Sequence, residues 1–323
     1  MRRSKENPIL TSVDIPAVRP ELTDVSSVFN PGAIKSGEDT ILVLRVQNRG
    51  RETLLLRAQS KDGIHFRVLP EPVEISGLER LKTPIYHAYD PRITVIANKI
   101  YVTLSLDLDI GSRTALFSSE DLSELNFIDL MWDGDSRNAV LFPEKINGRY
   151  LGLVRPNRIS ADPQVSSGSE IWLIESIDLQ DWQPVKAIMS GRLHYWDELI
   201  GSGPPPIKTR SGWLHIYHGV ATHFASVNIY QAGVCLLELD DPSKMKARGK
   251  YNIFEPRADY ELVGQVPNVV FPSGMIVEDY DSEGFARHDS RVMVYYGAAD
   301  TSVAAAETTI GELLNHCQTE SGN

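Results

Sequence analysis

Short apolar runs rich in β-branched and aromatic residues punctuate the chain: Ile41–Val46 (ILVLRV), Ile100–Leu106 (IYVTLSL), Tyr150–Arg155 (YLGLVR), Trp213–His218 (WLHIYH) and Val292–Gly297 (VMVYYG). Several follow a turn signal such as Asn147-Gly148 or Ser211-Gly212, and few stretches show a helical period, so the runs predict strands. With Arg45, Ser105, Arg155, His218 and Gly297 as markers, the spacings are 60, 50, 63 and 79 residues. A second phrase recurs, Ser-x-Asp followed by an aromatic: Ser60-Lys61-Asp62 to Phe66, Ser119-Glu120-Asp121 to Phe127, and Ser176-Ile177-Asp178 to Trp182. Self-similarity at that period in an all-β chain predicts blades of about four strands, and five marker strands predict an all-β, five-bladed β-propeller spanning residues 1–323. A β-sandwich accounts for the strands but gives no reason for the repeated phrase. Unequal spacing is assigned to insertions at Ser160–Ser169 and Asp281–Ser290. Thr309–Leu314 reads as a short helix or closing strand, and His316–Asn323 as a frayed polar tail.

Some polar residues stand where a blade should be apolar. Arg45 lies inside ILVLRV, Arg155 ends YLGLVR and His218 ends WLHIYH. A charge in a buried strand needs a partner or a ligand. Repetition at one place in each blade favours a shared centre on the propeller axis. In His87–Thr94 (HAYDPRIT), Pro91 restricts Asp90 toward an extended conformation, which would hold its carboxylate, and Arg92 stands ready to orient a carboxylate. An Asp-Pro turn with a surface ion pair explains the same residues equally well. Asp107 and Asp109 lack a third ligand at metal-binding spacing and read as a solvated loop. Glu144 reads as a strand-end residue, and Trp172 and Trp182 as packing within blades. Gly201-Ser202-Gly203-Pro204-Pro205-Pro206 is proline-stiffened and reads as a rigid loop. Signatures for a serine hydrolase, a P-loop or a dinucleotide fold are missing.

The net charge of −11 argues against a nucleic-acid partner without forbidding a local basic pocket. Two cysteines, Cys235 and Cys317, at no metal-binding spacing point to a reducing compartment, hence a cytoplasmic protein. No run approaches the roughly 20 apolar residues of a membrane span, and no secretory leader is visible. A homo-oligomer is compatible with the sequence.

The ordered phrases of the chain resemble glycoside hydrolase family 130, the β-mannoside phosphorylases and related mannosidases. They are Asn7-Pro8, Val28-Phe29-Asn30-Pro31-Gly32, Tyr89-Asp90-Pro91-Arg92, Val140–Lys145, Gly212-Trp213-Leu214 with Tyr217-His218-Gly219, Val266–Pro272 and Tyr295–Asp300. The resemblance implies a five-bladed propeller that cleaves β-mannosides with inversion, taking inorganic phosphate as co-substrate and releasing α-mannose 1-phosphate, with no metal or other cofactor. It implies Asp90 as proton donor acting through a sugar hydroxyl, Asn30, Arg45 and Asp300 as mannose-binding residues, and Arg137, Arg155 and His218 as phosphate-binding residues. The chemistry is coherent: an inverting hydrolase needs a second carboxylate to activate water, whereas phosphate is already an anionic nucleophile and needs a cationic cradle.

Family phosphorylases carry a lysine just before an Ile-Gly-x-Gly loop, and here Leu199 precedes Ile200-Gly201 with Glu198 beside it. A β-mannosidase using water, with Glu198 as base, is therefore the alternative reading, and a non-catalytic glycan-binding propeller a remote one. VFNPG differs from the form with serine after the asparagine in some β-1,4-mannan phosphorylases, so β-1,2 and β-1,4 linkages both stand.

Overall fold

The structure is a computed structural model that describes residues 1–157, 168–222 and 227–318. Five antiparallel sheets surround one axis. Blade 1 comprises Val25–Ser36, Asp39–Asn48, Thr53–Ser60 and Arg67–Pro72. Blade 2 comprises Ile85–Ile96, Lys99–Leu108, Gly111–Ser119 and Glu124–Leu130, with Glu74–Ser76 added in parallel at its edge. Blade 3 comprises Ser136–Leu141, Tyr150–Pro156, Glu170–Ser176 and Gln183–Ser190. In blade 4 the inner position is split between Leu199–Ser202 and Ile207–Thr209, both paired to Gly212–Ala221, followed by Ile229–Leu237 and Met245–Arg248. Blade 5 comprises Val270–Val277, Arg291–Ala298 and Ser302–Thr309, completed by Arg2–Arg3 from the beginning of the chain. The ring is thus closed within blade 5. The Asn7 amide exchanges hydrogen bonds with both backbone groups of Ala305, and Arg3 forms an ion pair with the buried Glu261 at 2.7 Å.

The five marker runs are the second strands of the blades, one step out from the axis. Their unbroken hydrophobicity follows from burial on both faces. Leu42, Leu44 and Val46 pack with Met293 and Tyr295 of blade 5, while Val43 packs with Val102 and Leu104 of blade 2. Each such side chain, fully removed from water, contributes about 1.5–3 kcal/mol. The same alternation aims each marker residue at the following blade. Arg45 shares the face of Val43 toward blade 2, and Arg155 shares that of Leu151 and Leu153 toward blade 4. His218 shares the face of Leu214 and Ile216 toward blade 5.

The repeated Ser-x-Asp phrase caps the turn from third to fourth strand. The hydroxyls of Ser60, Ser119 and Ser176 each accept the amide three residues on, from Gly63, Leu122 and Leu179. The aspartates accept amides within the same turns, as Asp62 does from Ile64 and His65. The phrase marks blade geometry and has no part in the cavity.

Two boundaries differ from expectation. Gly201 and Ser202 belong to an inner strand, because Gly201 pairs with His218, and the proline-stiffened break begins only at Gly203. The chain after blade 5 is helical over Ile310–Gln318, so the helix takes in the start of the segment read as a polar tail, and residues 319–323 lie outside the described residues. Asp281–Ser290 does connect two strands of blade 5, whereas most of the Ser160–Ser169 insertion lies outside the described residues.

Candidate active site

The inner strands carry matching irregularities. In blade 1 the pairing jumps from Phe29–Arg45 to Gly32–Val43. It jumps from Tyr89–Ser105 to Arg92–Thr103 in blade 2, and from Arg137–Arg155 to Val140–Leu153 in blade 3. Two inner residues oppose one outer residue each time, which is a β-bulge. The first residue of each bulge is left-handed: Asn30 at φ +47°, Asp90 at +57° and Asn138 at +54°. Asn and Asp tolerate this region better than other side chains. Asp90 is therefore not extended as its proline neighbour suggested. The bulge overrides that local preference and re-aims the carboxylate.

Asn30, Arg45, Asp90, Arg137, Arg155, His218 and Asp300, the seven residues expected at the centre, all line one cavity of about 370 Å³ at one mouth of the axis. On its first wall, Asp90 Oδ1 accepts from Asn30 Nδ2 at 2.9 Å and from Arg45 Nη1 at 3.0 Å. The Arg45 guanidinium is itself clamped between the rings of Phe29 and Tyr89, 4.5 and 4.4 Å from their centroids. Asp90 Oδ2 has no hydrogen-bond partner among the described residues. Asn30 fits because Gly297 has no side chain, since a Cβ there would fall 2.0 Å from Asn30 Oδ1. Asp300 closes this wall, its carboxyl pushed up to about 6 by burial and by the charge of Asp90, against the opposing pull of Arg45. Arg92 does not meet a carboxylate oxygen. It is buried and donates to the main-chain carbonyls of Gly203, Asp90 and Pro91, tying the bulge to blade 4.

The second wall is cationic and under-bonded. Arg137 and Arg155 face each other in register on adjacent strands, an unfavourable pairing of like charges that Asp107, 3.7 Å from Arg137 Nη2, offsets on one side only. Burial, and secondarily Arg137, pull the Arg155 guanidinium down to about 10. Arg155 Nη2 reaches Asn157 at 3.2 Å, but its buried Nε has no partner. His218 is fully buried beside Phe271, with neither ring nitrogen in a well-formed hydrogen bond. Its basicity falls well below the usual range through burial and then through Arg155 and Arg92, which outweigh the Ser202 main chain, so the ring is neutral at neutral pH. Gly201 makes room for it, because a Cβ there would lie 2.4 Å from the His218 ring.

Sequence reasoning missed the residues joining the two walls. Asp107, read as a solvated loop, lies on the second strand of blade 2 and accepts from Tyr89 Oη and Ser112 Oγ, each at 2.7 Å. Ser112 Oγ in turn receives Arg137 Nε and Nη2. Asn138, Tyr230, Phe271 and Arg51 also line the cavity. A period-2 reading of the blade 2 marker strand would have put Asp107 and Ser105 on one face, the signal available for it. Asp109 instead accepts from Tyr86. Glu198 bonds Thr222 and is not a lining residue. Glu144 pairs with Lys208 at 2.8 Å at the opposite mouth of the axis, in a hollow of about 440 Å³ that holds none of the expected residues. No tryptophan lines the cavity; Trp172 packs edge-on against Trp132. Among the described residues no cluster of three or more His, Cys, Asp or Glu side chains could hold a metal, and no helix is long and apolar enough to cross a membrane.

A five-bladed propeller whose polar axial cavity sets Asp90, Asp107 and Asp300 beside Arg137 and Arg155 is the structural class to which the chain belongs. Within that class, the sequence profile of glycoside hydrolase family 130, described as β-1,4-mannooligosaccharide phosphorylase, matches residues 1–319. The chain is 31% identical over 312 residues to a β-1,4-mannooligosaccharide phosphorylase of Ruminococcus albus, covering 94% of this chain and 88% of that one. It is 34% identical over 299 residues to a 1,2-β-oligomannan phosphorylase of a Thermoanaerobacter species, covering 87% and 89%. The solved β-1,2-mannobiose phosphorylase from Listeria innocua, in complex with β-1,2-mannobiose, superposes with a TM-score of 0.82 at 27% identity over 99% of both chains. The chain belongs to glycoside hydrolase family 130.

Proposed function

We propose that the chain is an inverting β-mannoside phosphorylase. The observation that carries this reading is the second wall: two arginines in cross-strand register beside a buried neutral imidazole, with Arg155 Nε unpartnered among the described residues. A tetrahedral oxyanion offers acceptors for the arginine forks and for one imidazole N–H, and it cancels the like-charge repulsion. Asn30, Arg45 and Asp300 would hold the mannosyl ring. A phosphate oxygen attacks the anomeric carbon as the glycosidic C–O bond breaks. The departing oxygen takes a proton that originates on Asp90 and is relayed through a sugar hydroxyl. Inversion gives α-mannose 1-phosphate and a shortened saccharide. Asp90 Oδ1 is occupied by Asn30 and Arg45, so Oδ2 is the atom that carries the proton.

The placement of Glu198 supports phosphate over water, because its carboxylate is engaged by Thr222 outside the cavity. The relatives divide between β-1,2 and β-1,4 linkages. One experiment addresses both questions: product analysis on β-1,2- and β-1,4-mannobiose with and without phosphate. Mannose 1-phosphate formed only with phosphate, from one linkage, is expected, and free mannose at equal rates in both buffers would sink the proposal.

A further inference from the structure

The two walls of the axial cavity meet at Asp107. Its place follows from the alternation of its strand. Leu104 and Leu106 pack with Val43 and Leu55 of blade 1, so Ser105 and Asp107 turn to the other face, toward blade 3. There a single carboxylate oxygen, Oδ1, accepts from both Tyr89 Oη and Ser112 Oγ.

Each of these bonds holds an arginine at one remove. On the first wall, burial outweighs Arg137 and pushes the Tyr89 phenol well above its usual range, so it stays a donor. The ring it anchors covers one face of the Arg45 guanidinium, whose Nη1 bonds Asp90. On the second wall, the Ser112 hydroxyl has one hydrogen. Spent on Asp107, it leaves only lone pairs toward Arg137 Nε and Nη2, which lie 3.1 and 2.9 Å away. Without Asp107 that hydrogen is free to turn against the guanidinium, donor facing donor. Tyr89 and Ser112 are buried, whereas Asp107 is half-buried at the cavity.

We propose that Asp107 is a positioning residue for both walls: through Ser112 it sets the Arg137 fork for phosphate, and through Tyr89 it sets Arg45 behind Asp90 for the sugar. The proposal rests on the phosphorylase reading above and adds a residue that reading does not use. A carboxylate that merely repelled phosphate would act with the opposite sign, because its removal would tighten phosphate binding. The test is titration calorimetry with inorganic phosphate and, separately, with mannobiose of each linkage. The proteins are the unaltered chain, Asp107→Ala, Asp107→Asn, Ser112→Ala, Tyr89→Phe and the double variant Asp107→Ala/Ser112→Ala. Asp107→Ala should weaken both ligands about tenfold, with Asp107→Asn, which keeps an oxygen acceptor, in between. Ser112→Ala should weaken phosphate about fivefold and mannobiose by less than about twofold, and Tyr89→Phe the reverse. The double variant should bind phosphate no more weakly than Asp107→Ala, because the two groups act in series. Should Asp107→Ala not fold, Ser112→Ala and Tyr89→Phe carry the comparison. Unchanged or tighter phosphate binding in Asp107→Ala, additive losses in the double variant, or equal losses of both ligands in Ser112→Ala would each overturn the role. An unaltered chain that binds no phosphate would instead sink the phosphorylase reading, and the Arg137 arm of this proposal with it.

Discussion

The two walls of the axial cavity are built from the same repeat and differ in how their polar atoms are bonded. On the wall of blades 1, 2 and 5, Asn30 and Arg45 converge on one oxygen of Asp90 and Arg45 is clamped by two rings, while Asn30 Oδ1 and Arg45 Nε are buried without a partner among the described residues. On the wall of blades 3 and 4, Arg155 Nε is buried and unspent among the described residues, and the His218 imidazole lies buried against the Ser202 main chain. A bonded carboxylate is a group held in place for chemistry. Unspent buried donors, each costing about 1–3 kcal/mol if left unmade, mark where a ligand is meant to sit. The first wall already fixes its carboxylate through protein contacts, and both walls keep buried polar atoms to offer a ligand.

The comparison breaks most sharply at Asp90. Asp90→Asn keeps the shape and removes the proton, so kcat should fall about a thousandfold in a phosphorolysis assay while mannoside affinity changes little. A loss below tenfold would put the proton elsewhere. Arg155→Ala should lower kcat/KM for phosphate about thirtyfold to a hundredfold and disturb mannoside binding by less than threefold, with Arg155→Lys restoring charge without the fork and recovering part of it. Equal losses for both substrates would erase the distinction between the walls.

The smallest expected effect is on stability. The folded-state value of Asp300, about 6, lies above the unfolded value, so the folded chain takes up this proton first. Its contribution is fully present below about pH 4 and is lost as pH rises through 6, spanning about 3 kcal/mol. Asp300→Asn removes that slope. Urea unfolding of both proteins at pH 4.5 and pH 8 should show the variant gaining relative stability at the higher pH. Parallel shifts at the two pH values would place the Asp300 titration elsewhere.

What could be read from the chain was whatever repeats. Arg45, Arg155, His218 and Gly297 stand out because second strands are buried on both faces, so a charge or a bare glycine there breaks an apolar run. Ser60, Ser119 and Ser176 stand out because one turn is used three times. The bulges were hidden, because a bulge is a property of two strands in register. Taken locally, Asp90-Pro91 promised an extended residue, and only pairing with Ser105 and Thr103 makes it left-handed. Asp107 was hidden for a related reason: its partners Tyr89 and Ser112 come from the two flanking strands, and only the strand register brings all three together.

Matching bulges also give the molecule a set of numbered addresses. The position that follows the registered pair is Asn30 in blade 1, Asp90 in blade 2 and Asn138 in blade 3. In blades 4 and 5 the register instead runs on past the Gly201–His218 and Phe271–Gly297 pairs, with Ser202 opposite Tyr217 and Pro272 opposite Tyr296. One backbone device, used in three of the five blades, presents different functional groups toward a common cavity. Such a ring can exchange the occupant of one address while the blades keep their packing, so a single scaffold can move between sugar linkages, or between nucleophiles, one residue at a time.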